Sequence, residues 1–110
     1  MWNMPLGAKP WSMTQAGTTT ATATKDAVTG DTHFITHISG HGDKDTTVQI
    51  LGGSAGTTVL AEIAHDTTLS GYQLKPLNGL WIGTTGVAVA VKITTATADC
   101  QINVCGFTVG

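Results

Sequence analysis

Apolar and polar residues alternate with a period of two along much of this chain. The clearest stretch is 87–95, in which every second residue from Val87 to Ile93 is β-branched and apolar. This is the period of a strand with one buried face. Similar short runs recur between glycine-rich turn signals at intervals of about 8 to 12 residues. The pattern predicts seven or eight short strands and no long helix.

The predicted strands differ in the strength of their signal. The segment Leu69–Leu77 is weaker because Pro76 removes a backbone donor, and Asn78-Gly79 predicts a tight turn before a further short run. The apolar phase of the last run changes at Gly106, which predicts a β-bulge there. The runs are Thr18–Thr24, Thr32–Ser39, Thr46–Leu51, Thr57–Ala64, Leu69–Leu77, Leu80–Ile82, Val87–Thr95 and Cys100–Val109. Gaps of about two to six residues are too short for parallel crossovers, so we expect an all-β, antiparallel sandwich.

Composition supports the all-β prediction. The chain of 110 residues holds 21 Thr and 14 Gly, five Lys, no Arg and a single Glu, Glu62. Threonine favours the surface of a sheet, whereas the usual helix formers are scarce. These numbers exclude a helical bundle and a highly charged disordered chain. The length indicates one domain. Its predicted core is rich in Ala, Thr and Val and therefore thin, so oligomerisation would help it.

The charge pattern argues against two classes of partner. The formal net charge is −2, and the five lysines are spread along the chain without a cluster. Nucleic-acid binding and binding to an anionic membrane both need a concentrated basic surface, so we expect neither. No segment reaches the roughly 18 continuous apolar residues of a membrane span. The N-terminus also lacks the order of a signal peptide, which indicates synthesis in a cytoplasm.

The first 17 residues form the most unusual segment. They carry two of the three tryptophans and all three methionines. Apolar side chains of this size are an aggregation hazard when left in water, and Trp is a favoured anchor of protein interfaces. We predict an N-terminal arm over residues 1–17 that contacts a neighbouring subunit or larger partner, ahead of one sandwich domain over residues 18–110. The alternative is an arm folded over its own sandwich. The predicted contact residues are Trp2, Met4, Pro5, Leu6, Trp11 and Met13.

No residue pattern indicates catalysis, a cofactor or a metal. His33, His37 and His41 would share one face of a strand, but the first and last would then lie about 26 Å apart, too far for one ion. Only a symmetric oligomer, with one histidine per subunit around its axis, would bring three together. Cys100 and Cys105 are five residues apart and point to opposite faces of a strand, so we expect two reduced and mostly buried thiols. Neither a nucleophile elbow nor a P-loop is present, and we expect no enzyme.

Several segments together resemble a known family. These are THFITHISG, TVQILGGSAGTTVLAEI, PLNGLWIGTTGVAVAVKITTA and INVCGFTV. They are similar to the small jelly-roll decoration, or cement, proteins on the capsids of tailed bacteriophages, and the likeness covers roughly residues 18–109. The resemblance rests on strands and turns and implies a sandwich of jelly-roll type. The N-terminal arm matches no motif of the family.

The resemblance implies a structural role without chemistry. Such a chain would be assembled in the host cytoplasm and would sit on the virion as a trimer, bound to the major capsid protein and stabilising the shell. The alternative is a glycan- or receptor-binding sandwich of a virion fibre or tip. Sugar binding needs exposed aromatic platforms, for which Tyr72 and Trp81 are the candidates. Trp81 lies between Leu80 and Ile82 in an apolar run, which predicts a place in the core.

Overall fold

The computed structural model describes residues 6–53, 56–94 and 99–110, and within them the chain is a sandwich of two antiparallel four-stranded sheets. One short helical turn, α1 (Thr67–Ser70), interrupts the strands. The strands are β1 (Lys9–Gly17), β2 (Ala21–Lys25), β3 (Thr32–Gly42), β4 (Thr46–Gly52), β5 (Thr58–His65), β6 (Gln73–Ile82), β7 (Val89–Ile93) and β8 (Cys100–Val109). The all-β sandwich predicted from the period-two pattern is confirmed.

The chain crosses from one sheet to the other at every connection between strands except β4–β5. Sheet A has the strand order β1-β8-β3-β6, and sheet B has the order β2-β7-β4-β5. Apolar side chains alternate inward along the central strands, since fully buried Ile35, Ile38, Ile102 and Val104 face the other sheet. The core of the sandwich is therefore aliphatic and lies between β3 and β8 on one side and β4 and β7 on the other.

The segment predicted as an arm contains a strand. Lys9–Gly17 pairs with β8 along nine consecutive residues, so the predicted domain boundary at residue 17 is corrected to the start of β1. Trp11 and Met13 point inward and pack against the core, whereas Pro10 and Ser12 are exposed. The period of two is present here too, but the proline and the bulky side chains hide it in the sequence.

The structure differs from the sequence prediction at the Asn78-Gly79 turn and at the Gly106 bulge. Strand β6 runs through Asn78-Gly79, and pairs with β3 on both sides of it, so no hairpin turn forms there. β8 pairs with β1 without a shift, and the bulge belongs to β3 between Ile35 and His37. Gly106 is instead a point of close approach, because a Cβ there would collide with the Phe34 carbonyl and the Trp11 ring. The apolar phase changes in the sequence because Phe107 packs on the outer face of sheet A.

Candidate protein-interaction surface

One end of the sandwich gathers the exposed apolar side chains. The β2–β3, β4–β5 and β6–β7 connections meet there, together with the start of β1 and the end of β8. Seven large apolar side chains stand exposed among the described residues, and all but Tyr72 lie at or near this end. We call it the apolar end; its side chains are Leu6, Val28, Val59, Leu60, Leu80 and Ile82. Because the exposed apolar side chains concentrate here, this end is the candidate surface for contact with another molecule.

An apolar row crosses the outer face of sheet A near this end. Pro10 pairs with Phe107, Phe107 with Phe34, and Phe34 with Ile82, so the row crosses all four strands. The two phenyl rings are stacked, with their centroids 4.7 Å apart. Ile82, at the edge of the sheet, is 58% exposed. A groove of about 470 Å³ lies beside Phe107, and Pro10, Thr36 and Cys105 contribute to its walls.

A buried hydrogen-bond network holds β1, β3 and β8 together beneath the row. The His33 Nε2–H donates to the Asp26 carbonyl oxygen at 2.8 Å, which leaves Nδ1 of the neutral ring as an acceptor. The Thr108 hydroxyl donates to that Nδ1 at 2.7 Å and accepts from the Trp11 indole N–H at 3.0 Å. Each polar group is satisfied, so the network fixes the rings that support this end of the sandwich.

A small cavity lies beside the hydrogen-bond network of Trp11, His33 and Thr108. It has a volume of about 140 Å³, and Trp11, His33 and Val28 are among its walls. The Lys25 ammonium lies 5.8 Å from the centre of the Trp11 ring, within range of a cation–π interaction. The cavity is too small for a typical cofactor, since such sites usually exceed about 300 Å³. Its walls also include Lys9, Lys25 and Asp31, so it is a small recess with both apolar and charged walls.

The opposite end of the sandwich is acidic. The β3–β4, β5–β6 and β7–β8 connections carry four carboxylates there: Asp43, Asp45, Asp66 and Asp99. The Thr67 hydroxyl and amide both donate to Asp45, at 2.7 and 2.8 Å, and these bonds hold the pKa of that carboxyl below its ordinary value. The His41 Nε2 atom lies 3.2 Å from the Asp99 Oδ2 atom. Lys44 lies in the same connections, and the β2–β3 connection at the apolar end carries Asp26 and Asp31. The two ends therefore differ in their exposed apolar side chains and in their number of carboxylates.

The predicted contact residues separate into three groups. Trp2, Met4 and Pro5 lie outside the described residues. Leu6, three residues ahead of β1, is fully exposed and belongs to the apolar end. Trp11 and Met13 pack against the core of their own chain. For these two residues, the structure agrees with the alternative in which the segment covers its own sandwich. The other apolar-end residues escaped the sequence analysis because they are divided among three separate parts of the chain: the β2–β3 connection, β5 and β6.

The three spaced histidines do not share a face. The bulge after Ile35 adds a residue to β3, so His33 points into the core while His37 and His41 are partly exposed. The prediction of a common face is therefore wrong. His37 Nδ1 lies 2.6 Å from the Asn78 side-chain oxygen. Within residues 6–53, 56–94 and 99–110, no three His, Cys, Asp or Glu side chains are placed to hold a metal ion.

The cysteines are free thiols in different environments. Cys100 is buried and Cys105 is exposed, so the prediction of opposite faces is confirmed and that of two mostly buried thiols is half right. Burial, together with the Asp99 and Asp43 carboxylates, raises the pKa of the Cys100 thiol. Cys105 pairs with His37 across the outer face of sheet A. A low thiol pKa would be needed for a reactive cysteine, and Cys100 has the opposite.

The two aromatic residues considered for sugar binding lie apart. Trp81 packs against the core from β6, as its apolar neighbours predicted. Tyr72 is 63% exposed but lies at the acidic end, where its carbonyl accepts a hydrogen bond from the Gly42 amide. Of these two candidates, only Tyr72 has an exposed ring that a sugar could stack on.

Comparison with protein families, with curated proteins and with solved structures finds no match to this chain. Among the residues that the structure describes, no helix has the length and apolar character needed to span a membrane.

Proposed function

We propose that this chain is a non-enzymatic virion structural protein, a decoration or cement protein that binds the outer shell of a capsid and stabilises it. The observation that carries the proposal is the segregation of exposed apolar side chains at one end of the sandwich, beside the start of β1. A protein that sits on a shell needs one apolar seat and a polar surface toward solvent. The apolar end and the acidic end suit these two requirements.

The strand order supports a jelly roll. Eight strands in the orders 1-8-3-6 and 2-7-4-5 are the arrangement expected when an antiparallel ribbon is folded over into two facing sheets. Jelly rolls are common in viral capsid and lectin domains, and the fold by itself does not select between these functions. The exposed apolar end favours a protein partner over a sugar, because sugar sites combine aromatic platforms with polar neighbours. The partner we propose is the major capsid protein, bound by a homotrimer of this chain.

Shell binding tests the proposal directly. The probe is an empty shell assembled from the major capsid protein of the same virus, and the measurement is co-sedimentation of the purified chain. The double variant Val28→Asp/Ile82→Asp places carboxylates at the apolar end, and we expect it to lose binding by at least tenfold. Tyr72→Asp is the matched control, because it changes an equally exposed apolar side chain at the acidic end. Normal shell binding by the double variant would overturn the proposal, as would failure of the wild-type chain to bind.

The contribution of the N-terminal segment to shell binding can be tested only by a deletion that ends before β1 begins. Deleting residues 1–13 would remove Lys9–Met13 of β1 and the Trp11 indole that the Thr108 hydroxyl accepts from, so the variant would unfold. Deleting residues 1–8 leaves every pair of β1 and β8 in place. We expect this shorter chain to fold and to bind shells more weakly.

A further inference from the structure

The outer face of sheet A places a thiol, an imidazole and a side-chain amide in one line. Cys105 of β8 pairs with His37 of β3, and His37 pairs with Asn78 of β6. Residues directly opposite each other on neighbouring strands share one face of the sheet, with their Cβ atoms about 4.5–5.5 Å apart. All three side chains are at least partly exposed. We call these three residues the thiol row; it lies beside the apolar row on the same face.

The bulge in β3 produces this alignment. His33 and Ile35 are fully buried in the core, so an uninterrupted strand would turn position 37 inward as well. The extra residue, Thr36, turns His37 outward, and the Thr36 hydroxyl donates to the Cys105 carbonyl oxygen at 3.2 Å. Bulges often re-aim a side chain beside a functional site. Here the irregular backbone places the imidazole opposite the thiol.

The Asn78 amide fixes the tautomer of the imidazole. His37 Nδ1 lies 2.6 Å from Asn78 Oδ1. An amide oxygen only accepts hydrogen bonds, so Nδ1 of the neutral ring carries the hydrogen and Nε2 keeps a lone pair. The imidazole therefore has a basic nitrogen while its other nitrogen is held. A nucleophile next to a base that a third group orients activates thiols and hydroxyls on several unrelated folds, and Cys, His and Asn form one such set.

The thiol also forms part of the wall of the groove beside Phe107. The volume of this groove, about 470 Å³, lies within the range of about 300–1,000 Å³ that is usual for small-molecule sites. Pro10, Trp11 and Phe107 give it apolar walls, and the other side chains at its walls include Thr36 and Cys105. A short apolar chain fits such walls, with the carbon atom that reacts placed at the Cys105 sulfur.

We propose that Cys105 is an acyl-accepting thiol, with His37 as its base and Asn78 as the residue that positions the base. The acyl donor is a thioester or activated ester of a short apolar acid. The Cys105 sulfur attacks the carbonyl carbon and forms an S–C bond, and the thiol proton passes to His37 Nε2. The C–S or C–O bond of the donor then breaks, and the leaving group takes that proton. The product is one thioester per chain, and this modification does not depend on shell binding.

Acylation by p-nitrophenyl butyrate at pH 7 tests the proposal, followed by release of nitrophenolate and by the mass and position of the adduct. We expect one butyryl group on Cys105 and none on buried Cys100, which is the internal control. His37→Gln should lower the rate by at least about tenfold, because a general base typically contributes about 10²–10⁴-fold. His41→Gln is the matched control and should keep the wild-type rate, because His41 is a partly exposed histidine that pairs with Gln101.

Two readouts separate a base from a residue that only supports the fold. Asn78→Ala should slow acylation, and Asn78→Asp should restore it, since its carboxylate accepts the same hydrogen bond from His37. The rate of His37→Gln should rise about tenfold per pH unit below about 8.5, as for an ordinary free thiol, whereas the wild-type rate should rise less steeply above pH 7. Every variant should keep the wild-type melting transition in circular dichroism, because the changed side chains lie on the outer face.

The opposite results are equally clear. Equal rates for the wild type and His37→Gln would mean that Cys105 is merely exposed, and they would overturn the inference. An adduct on Cys100, or no adduct on either thiol, would do the same. p-Nitrophenyl acetate is the control for the groove: if it reacts as fast as the butyrate ester, the acyl chain does not occupy the groove.

Discussion

Thr108→Val should destabilise the chain far more than its small change in shape suggests. The threonine hydroxyl donates to His33 Nδ1 and accepts from the Trp11 indole, and valine has the same shape without the hydroxyl. The variant leaves an acceptor on a fully buried ring and a donor on a half-buried one without partners. A buried polar group left unsatisfied costs about 1–3 kcal/mol, so we expect a loss of about 3 kcal/mol.

Urea unfolding followed by circular dichroism measures this loss. For a chain of this size, 3 kcal/mol corresponds to a fall in Tm of about 12–24 °C. Thr108→Ser is the matched control: it keeps the hydroxyl and loses one methyl group, at a cost of about 1 kcal/mol. All variants are compared at one protein concentration, because association adds to apparent stability. If Thr108→Val is as stable as Thr108→Ser, the network does not hold the three strands together as argued.

Two further predictions concern titrating groups. Because Cys105 is exposed and burial raises the pKa of the Cys100 thiol, DTNB should titrate one thiol per native chain and two in denaturant; two fast native thiols would contradict the fold at β8. The Thr67 hydrogen bonds lower the pKa of Asp45 below its ordinary 3.8, so the stabilisation is complete above that value and lost as the pH falls through the lower folded pKa. Urea midpoints of wild type and Asp45→Asn should therefore differ at neutral pH and converge in acid; a constant gap would refute the assignment.

Strand positions could be predicted where local alternation is strong. The runs at 32–39, 46–51, 57–64, 87–95 and 100–109 each contain most of a strand in the structure. Prediction was poorest at the edges of sheet A. The sequence predicts an arm where β1 lies and two runs where β6 lies, because proline and glycine weaken the local signal. The pairing with β8 and β3 that completes each strand is distant in sequence.

The candidate interaction surface could not be predicted from the sequence for the same reason. The amphipathic period and the threonine-rich composition are local properties, and they determined the all-β class, the antiparallel sandwich and the opposite faces of the two cysteines. Only the tertiary structure placed His33 inside and His37 partly outside, because one extra residue in β3 reverses the face of everything that follows it. It alone gathered Leu6, Val28 and Ile82 at one end. Neighbours in a folded sheet are set by backbone pairing between distant segments, which no local pattern of side chains encodes.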